Sequence, residues 1–181
     1  VSRSVAWAGV LSSGALFIAV ACRVLGSGSP LGPIVIWEPK ILRAACAVRV
    51  DALSALLLIV IAVVAIAAAW FSMTYTTAMK GRERSFFPLF LLFVFSMAGV
   101  VVMDDFFFFF VPWEVMALCS YGLVIFHRER QENLRAGFKY FFITHTGTVA
   151  LFFGVVLLVQ NGSGAFGFEE IARSLPGVIA A

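Results

Sequence analysis

Five runs of about twenty almost uncharged residues occupy most of this 181-residue chain, and short polar segments bracket each one. Wound as a helix at about 1.5 Å per residue, such a run matches the roughly 30 Å hydrocarbon core of a bilayer. No water is present there to bond backbone N–H and C=O groups, so each run has to satisfy them within a helix. The runs are 5–25, 53–75, 86–103, 106–126 and 138–159. The expected fold is therefore all-α, a polytopic transmembrane bundle of five spans forming a single membrane domain over 1–181. Composition agrees: 62% of residues are hydrophobic and 13% charged, against about 25% charged in a soluble domain.

The connections carry their own signals. In the first span Gly9, Ser12, Ser13 and Gly14 form a small-residue patch that lets another helix approach closely. Arg23, near its end, can reach the interface by snorkelling. Residues 26–50 form a linker with Pro30, Pro33 and Pro39, in which IVIW and CAVRV read as short extended pieces at the membrane face. Asp51 or Ser54 can cap the second span. Asp104-Asp105 close the third span tightly onto the fourth and make the two antiparallel neighbours. The segment 127–139, HRERQENLRAGFK, reads as a charged loop, and FEEIARSL in the tail as a short interfacial helix.

Basic residues set the orientation. Of the 13 Lys and Arg, eight fall on one side, in Arg3 and in the loops holding Lys80, Arg82 and Arg84 and Arg128 to Lys139; five fall on the other. The richer side, with the N-terminus, is assigned to the cytoplasm of an inner-membrane protein. No basic stripe interleaves with stacking aromatics, which argues against nucleic acid. Cys22, Cys46 and Cys119 have no paired spacing and exclude an iron–sulfur or zinc box in this segment. No phosphate loop, dinucleotide fingerprint or nucleophile elbow occurs. Neither a cofactor nor a metal is expected.

The fourth span contains the single acid Glu114, about 12 Å from its acidic end and about 18 Å from its basic end. A carboxylate at that depth costs on the order of 3 kcal/mol to insert. Two readings stand side by side: a glutamate that bonds a neighbouring helix and steadies packing, or one in a proton path, the default for an intramembrane acid. Tyr121, seven residues on, shares nearly the same helix face. Pro112 removes a backbone donor and frees a carbonyl close to the acid, or only kinks the helix for packing.

The fifth span holds a second polar group. His145 is flanked by Thr144 and Thr148 on one side of the helix. An imidazole titrates near neutral pH and passes protons through either nitrogen, although a satisfied packing histidine has the same spacing. Beside Glu114 one helix earlier, a hydrated relay is the stronger reading. Lys139, at the start of the span, reads as an interface anchor.

Four motifs, VRVDALSALLL, FVFSMAGVVVMDDFFFF, VPWEVMALCSYGLVIF and AGFKYFFITHTGT, carry a likeness over nearly the whole chain. It resembles the antiporter-like membrane subunits shared by respiratory complex I, nickel–iron hydrogenases of the formate hydrogenlyase type and multisubunit sodium/proton antiporters. The THTGT version is most similar to the hydrogenase branch; many complex I relatives have Arg and Asp at the positions of His145 and Thr148. The resemblance implies a proton-pumping subunit built on a discontinuous-helix bundle, in which Glu114 is the central glutamate of the first half-channel and pairs with a lysine two helices later. That lysine is not in this sequence, so the chain is expected to be a fragment truncated at both ends, matching the family's second to sixth helices. The implied role is a non-catalytic, proton-translocating subunit of an NADH:quinone oxidoreductase or hydrogenase-type complex, with other membrane subunits and the lipid bilayer as partners. A stand-alone sodium/proton antiporter subunit and a structural scaffold are the alternatives.

Overall fold

A computed structural model describes residues 3–39, 44–76, 83–126, 129–162 and 164–179. The elements in chain order are α1 (Arg3–Ser27), β1 (Leu31–Trp37), β2 (Cys46–Val50), α2 (Ala52–Thr76), α3 (Glu83–Val102), α4 (Phe106–Val124), α5 (Gln131–Asn161) and α6 (Phe168–Ile179). Among the described residues, five helices are long and apolar enough to cross a membrane: Val5–Ser27, Ala52–Ser72, Ser85–Val102, Phe106–Val124 and Gln131–Asn161.

Four spans match expectation to within a few residues. The fifth does not, because α5 starts at Gln131 and the charged segment assigned to a loop supplies its first turns. Gln, Glu, Leu, Arg, Ala and Lys are all good helix formers, and Glu132 in the first turn suits the positive end of the helix dipole. At 31 residues α5 is about 46 Å long, more than a hydrocarbon core needs, so its polar first turns stand at the interface. The helix therefore does not start at Lys139, which sits in the third turn of α5 with its side chain exposed.

Helices α1, α2 and α3 form one packed unit. On α2 the buried residues Ala55, Leu58, Ala62, Ala65 and Ala69 recur every three or four positions and make one narrow stripe. Lipid tails are as apolar as these side chains, so close contact rather than water release holds the helices together. The small-residue patch of α1 serves this purpose: Gly14 faces Ile66 and Ala62, Gly9 faces Leu91, and Ser13 is buried. Ser54 at the start of α2 donates to the Val101 carbonyl at the end of α3 (3.0 Å). A smaller core of Phe110, Val155, Val159 and Ile171 joins α4, α5 and α6.

One end of the bundle is closed by a small β layer. Strands β1 and β2 pair antiparallel, confirming the extended reading of IVIW and CAVRV. Gly32 enables the bend, with φ of 101° and the Val48 carbonyl standing where a side chain would begin. The turn between α3 and α4 joins this layer: Asp104 N–H donates to the Ala47 carbonyl (3.0 Å), and isolated bridges link Val48 to Met103 and Asp105 to Gly167. Phe106 N–H donates to the Phe166 carbonyl (2.9 Å) and Phe168 N–H to the Asp104 carbonyl (3.3 Å). FEEIARSL is helical, as expected, and α6 is thereby seated on the turn that begins α4.

Arg49 ties these pieces electrostatically. Its Nη1 donates to Glu169 on α6 (2.7 Å), and its Nε lies 3.2 Å from Asp104 Oδ2, an ion pair by distance without hydrogen-bond alignment. Arg173 reaches Glu169 from one turn further along α6 (3.2 Å). The bond from Arg49 holds the Glu169 carboxyl below the usual glutamate value, and Glu169 in turn raises the guanidinium. Asp104 goes the other way, because burial outweighs its attraction to Arg49 and raises its carboxyl. A cleft of about 580 Å³ opens here, lined by Val35, Arg49, Asp104 and Glu170 among others, well apart from the polar groups inside the spans. Of the basic residues used for orientation, Lys40, Arg43, Lys80, Arg82 and Arg128 lie outside the described residues.

Candidate functional site

The helix carrying Glu114 is anchored at the residue that precedes it. Asp105, 2% exposed, caps α4: Oδ1 accepts from Phe107 N–H (2.8 Å) and Phe108 N–H (3.2 Å), and Oδ2 accepts from Ala45 N–H (3.0 Å). Two orphan donors of the helix start are thus satisfied by a carboxylate. The helix then runs unbroken through Pro112 to Val124. Pro112 packs directly on Gly99 of α3, where a Cβ would come within 2.9 Å of the proline ring. Its packing role is therefore visible.

Glu114 meets His145. Oε2 of Glu114 lies 3.1 Å from Nε2 of His145, across the α4–α5 contact. The other imidazole nitrogen, Nδ1, lies 2.9 Å from the Phe141 carbonyl one turn back on α5. A carbonyl only accepts, so Nδ1 carries a hydrogen. Nε2 is left to exchange one proton with the carboxylate: either the acid donates to a neutral ring, or an imidazolium donates to a carboxylate. The Phe141 ring lies 3.9 Å from the imidazole, tilted by 31°. The pair is not enclosed by the described helices of this chain. About a third of each side chain is exposed, 34% for Glu114 and 30% for His145, so Glu114 is less buried than its place in the span implies.

The surrounding residues divide. Trp113 Nε1–H donates to Thr148 Oγ1 (3.0 Å), and the Thr148 hydroxyl donates to the Thr144 carbonyl (3.1 Å). Thr148 is buried; Thr144 enters through its backbone. Tyr121 contributes its ring, which packs on Phe141 (5.3 Å) and over Gly137, so it backs the residue that holds His145. Lys139 is exposed, nearly two turns from His145. Nothing in the sequence marked the indole of Trp113 or the carbonyl of Phe141 as partners, and Arg49 registered only as loop charge. Among the described residues no three His, Cys, Asp or Glu side chains form a group that could hold a metal.

The family described as NADH:quinone oxidoreductase/Mrp antiporter, TM, matches residues 103–180, which contain both Glu114 and His145. Hydrogenase-4 component B of Escherichia coli K12 is 33% identical over 135 residues, 74% of this chain and 20% of that protein. NADH-quinone oxidoreductase subunit L of Buchnera aphidicola is 32% identical over 126 residues, 70% of this chain and 20% of that protein. This chain therefore spans about a fifth of the length of the curated relatives it matches. A chain of the membrane-bound sulfane sulfur reductase, an archaeal respiratory membrane complex, superposes with a TM-score of 0.83 at 23% identity, covering 97% of this chain and 35% of that one; the likeness is one of fold. With five apolar spans and these relatives, the chain is an integral, multi-pass membrane protein. Over the stretch these comparisons cover, it belongs to the antiporter-like membrane subunit family of NADH:quinone oxidoreductases and their hydrogenase relatives.

Proposed function

We propose that this chain forms part of a proton path in an antiporter-like subunit of a redox-driven membrane complex, and that Glu114 and His145 carry the proton. The single observation behind this reading is the 3.1 Å contact between a carboxylate and an imidazole inside two apolar spans. The insertion cost of such a pair is tolerated when the groups have a task. One proton sits between Oε2 and Nε2 and is held by either. A cation arriving near a carboxylate favours its ionised form, and its departure favours the neutral one. Charge movement in a neighbouring part of the complex can thereby load and release the pair. The partners of this reading are other membrane subunits of a complex I-like or hydrogenase complex. The membrane is the cytoplasmic one, with the N-terminus inside. The family description also covers Mrp antiporters, which supports a second reading, sodium/proton exchange without electron transfer.

The test is proton uptake per electron in vesicles holding the complete complex. Glu114→Gln keeps size and hydrogen bonding but cannot release a proton, and should abolish most pumping. His145→Ala should cause an intermediate loss, since water replaces the ring where the cavity is polar. Lys139→Gln should change little. Normal pumping by Glu114→Gln with loss in Lys139→Gln would refute the assignment. Sodium-dependent exchange without redox turnover would favour the second reading.

A further inference from the structure

Two polar contacts cross between α4 and α5 at one level. Glu114 reaches His145 (3.1 Å), and its chain neighbour Trp113 reaches Thr148, one turn beyond His145 (3.0 Å). The two differ in what they can specify. Glutamate is a long side chain with three rotatable bonds, so its contact with the imidazole does not by itself fix where either helix stands. The Trp113–Thr148 bond has little such freedom. The indole has one N–H on a rigid ring, and that ring lies against Phe109 on its own helix (5.4 Å, 35°). The threonine hydroxyl is short and its hydrogen is committed to the Thr144 carbonyl (3.1 Å), which leaves a lone pair in a direction fixed by the α5 backbone. A slip of one residue along a helix is about 1.5 Å, enough to take a 3.0 Å hydrogen bond outside its range.

The ring contacts between α4 and α5 are less directional, and the close approach of Tyr121 to Gly137 lies about three turns from Thr148, at the other end of the contact. Phe110 meets Phe152 (5.1 Å) and Tyr121 meets Phe141 (5.3 Å) through apolar ring surfaces. Thr146, the third hydroxyl of this stretch, is exposed and bonded to the Phe142 carbonyl of its own helix. Failure of the Trp113 contact would leave an indole N–H without a partner in an apolar slab, a cost that makes the bonded register the favoured one.

We infer that Trp113 and Thr148 are positioning residues: their hydrogen bond sets the register and rotation of α4 against α5 at which Glu114 meets His145. The inference rests on the proposed proton path for its functional consequence, but not for its geometry. The experiment uses the complete subunit in its complex. The infrared carboxyl band of Glu114, identified by its loss in Glu114→Gln, reports the pair directly, and proton uptake per electron is measured alongside. Thr148→Val keeps shape and removes the acceptor; it should shift the Glu114 band and lower the proton yield to the intermediate level of His145→Ala. Thr148→Ser keeps the hydroxyl and should restore both. Trp113→Phe keeps an aromatic ring, removes the donor and should reproduce the valine result, which covers the case in which Thr148→Val fails to assemble. An unmoved band in Thr148→Val or Trp113→Phe, or a serine variant that behaves as valine does, overturns the inference. A shifted band with normal pumping upholds the positioning role and refutes the proton path instead.

Discussion

Asp104 and Asp105 are adjacent acids with opposite roles. Asp105 is almost fully buried and commits its carboxylate to two α4 donors and the Ala45 N–H. Replacing it with Ala removes a cap worth about 0.5–2 kcal/mol and leaves the Ala45 donor unsatisfied, at about 1–3 kcal/mol more. Asp104 is disfavoured as an anion by its own burial, which raises its carboxyl despite Arg49. Asp105→Ala should therefore lower resistance to SDS unfolding strongly and Asp104→Asn only weakly; equal losses would contradict the division of roles. The sequence showed both acids as a turn and could not separate them, because the donor that distinguishes Asp105 comes from Ala45, 60 positions away. The same distance problem hid Trp113, whose partner lies 35 residues on within a stretch crowded with aromatic rings. Glu114 and His145 were legible because an ionisable group in an apolar run is conspicuous on its own.

Among the elements, α6 is the one held chiefly from outside itself, by Arg49, the Phe106–Phe166 bond and the phenylalanine cluster at Phe106 and Phe168. Its docking should depend on pH. The Glu169 carboxyl lies below its ordinary value of 4.5. Its bond to Arg49 therefore stabilises docking fully above 4.5 and is lost as the pH falls through the lower folded value. Asp104 has the reverse sign: its raised carboxyl withholds stability at neutral pH, and this returns as the pH falls through the raised value toward the ordinary 3.8. The protection factors of the α6 amides should hold to below pH 4.5 and then fall, and Arg49→Gln should remove most of that step; a step that survives in full in Arg49→Gln would assign it elsewhere. The spans themselves were legible because a long apolar run admits little but a helix. The start of α5 was missed because charge was weighed as a loop signal, while Gln131, Glu132, Leu134, Arg135, Ala136 and Lys139 are strong helix formers whose polarity marks only the end that meets water.

Among the described residues, one end of the molecule is closed. The hairpin, the α3–α4 turn and α6 meet at the end opposite the basic loops, and the assigned orientation puts that end outside the cell. With the native cysteines replaced, a membrane-impermeant thiol reagent applied outside should label Ser29→Cys and spare Glu132→Cys; the opposite pattern reverses the topology. The closed end also has a mechanical consequence. Asp105 fixes α4 as a pivot fixes a lever, and Glu114 rides about 13 Å along the arm. A rocking of about 5° at the pivot carries the carboxylate about 1 Å, which is enough to part it from an imidazole at hydrogen-bond distance. A clamp at this rim thus bears on a contact in the middle of the membrane, because it limits the angular play that the length of the arm would otherwise magnify.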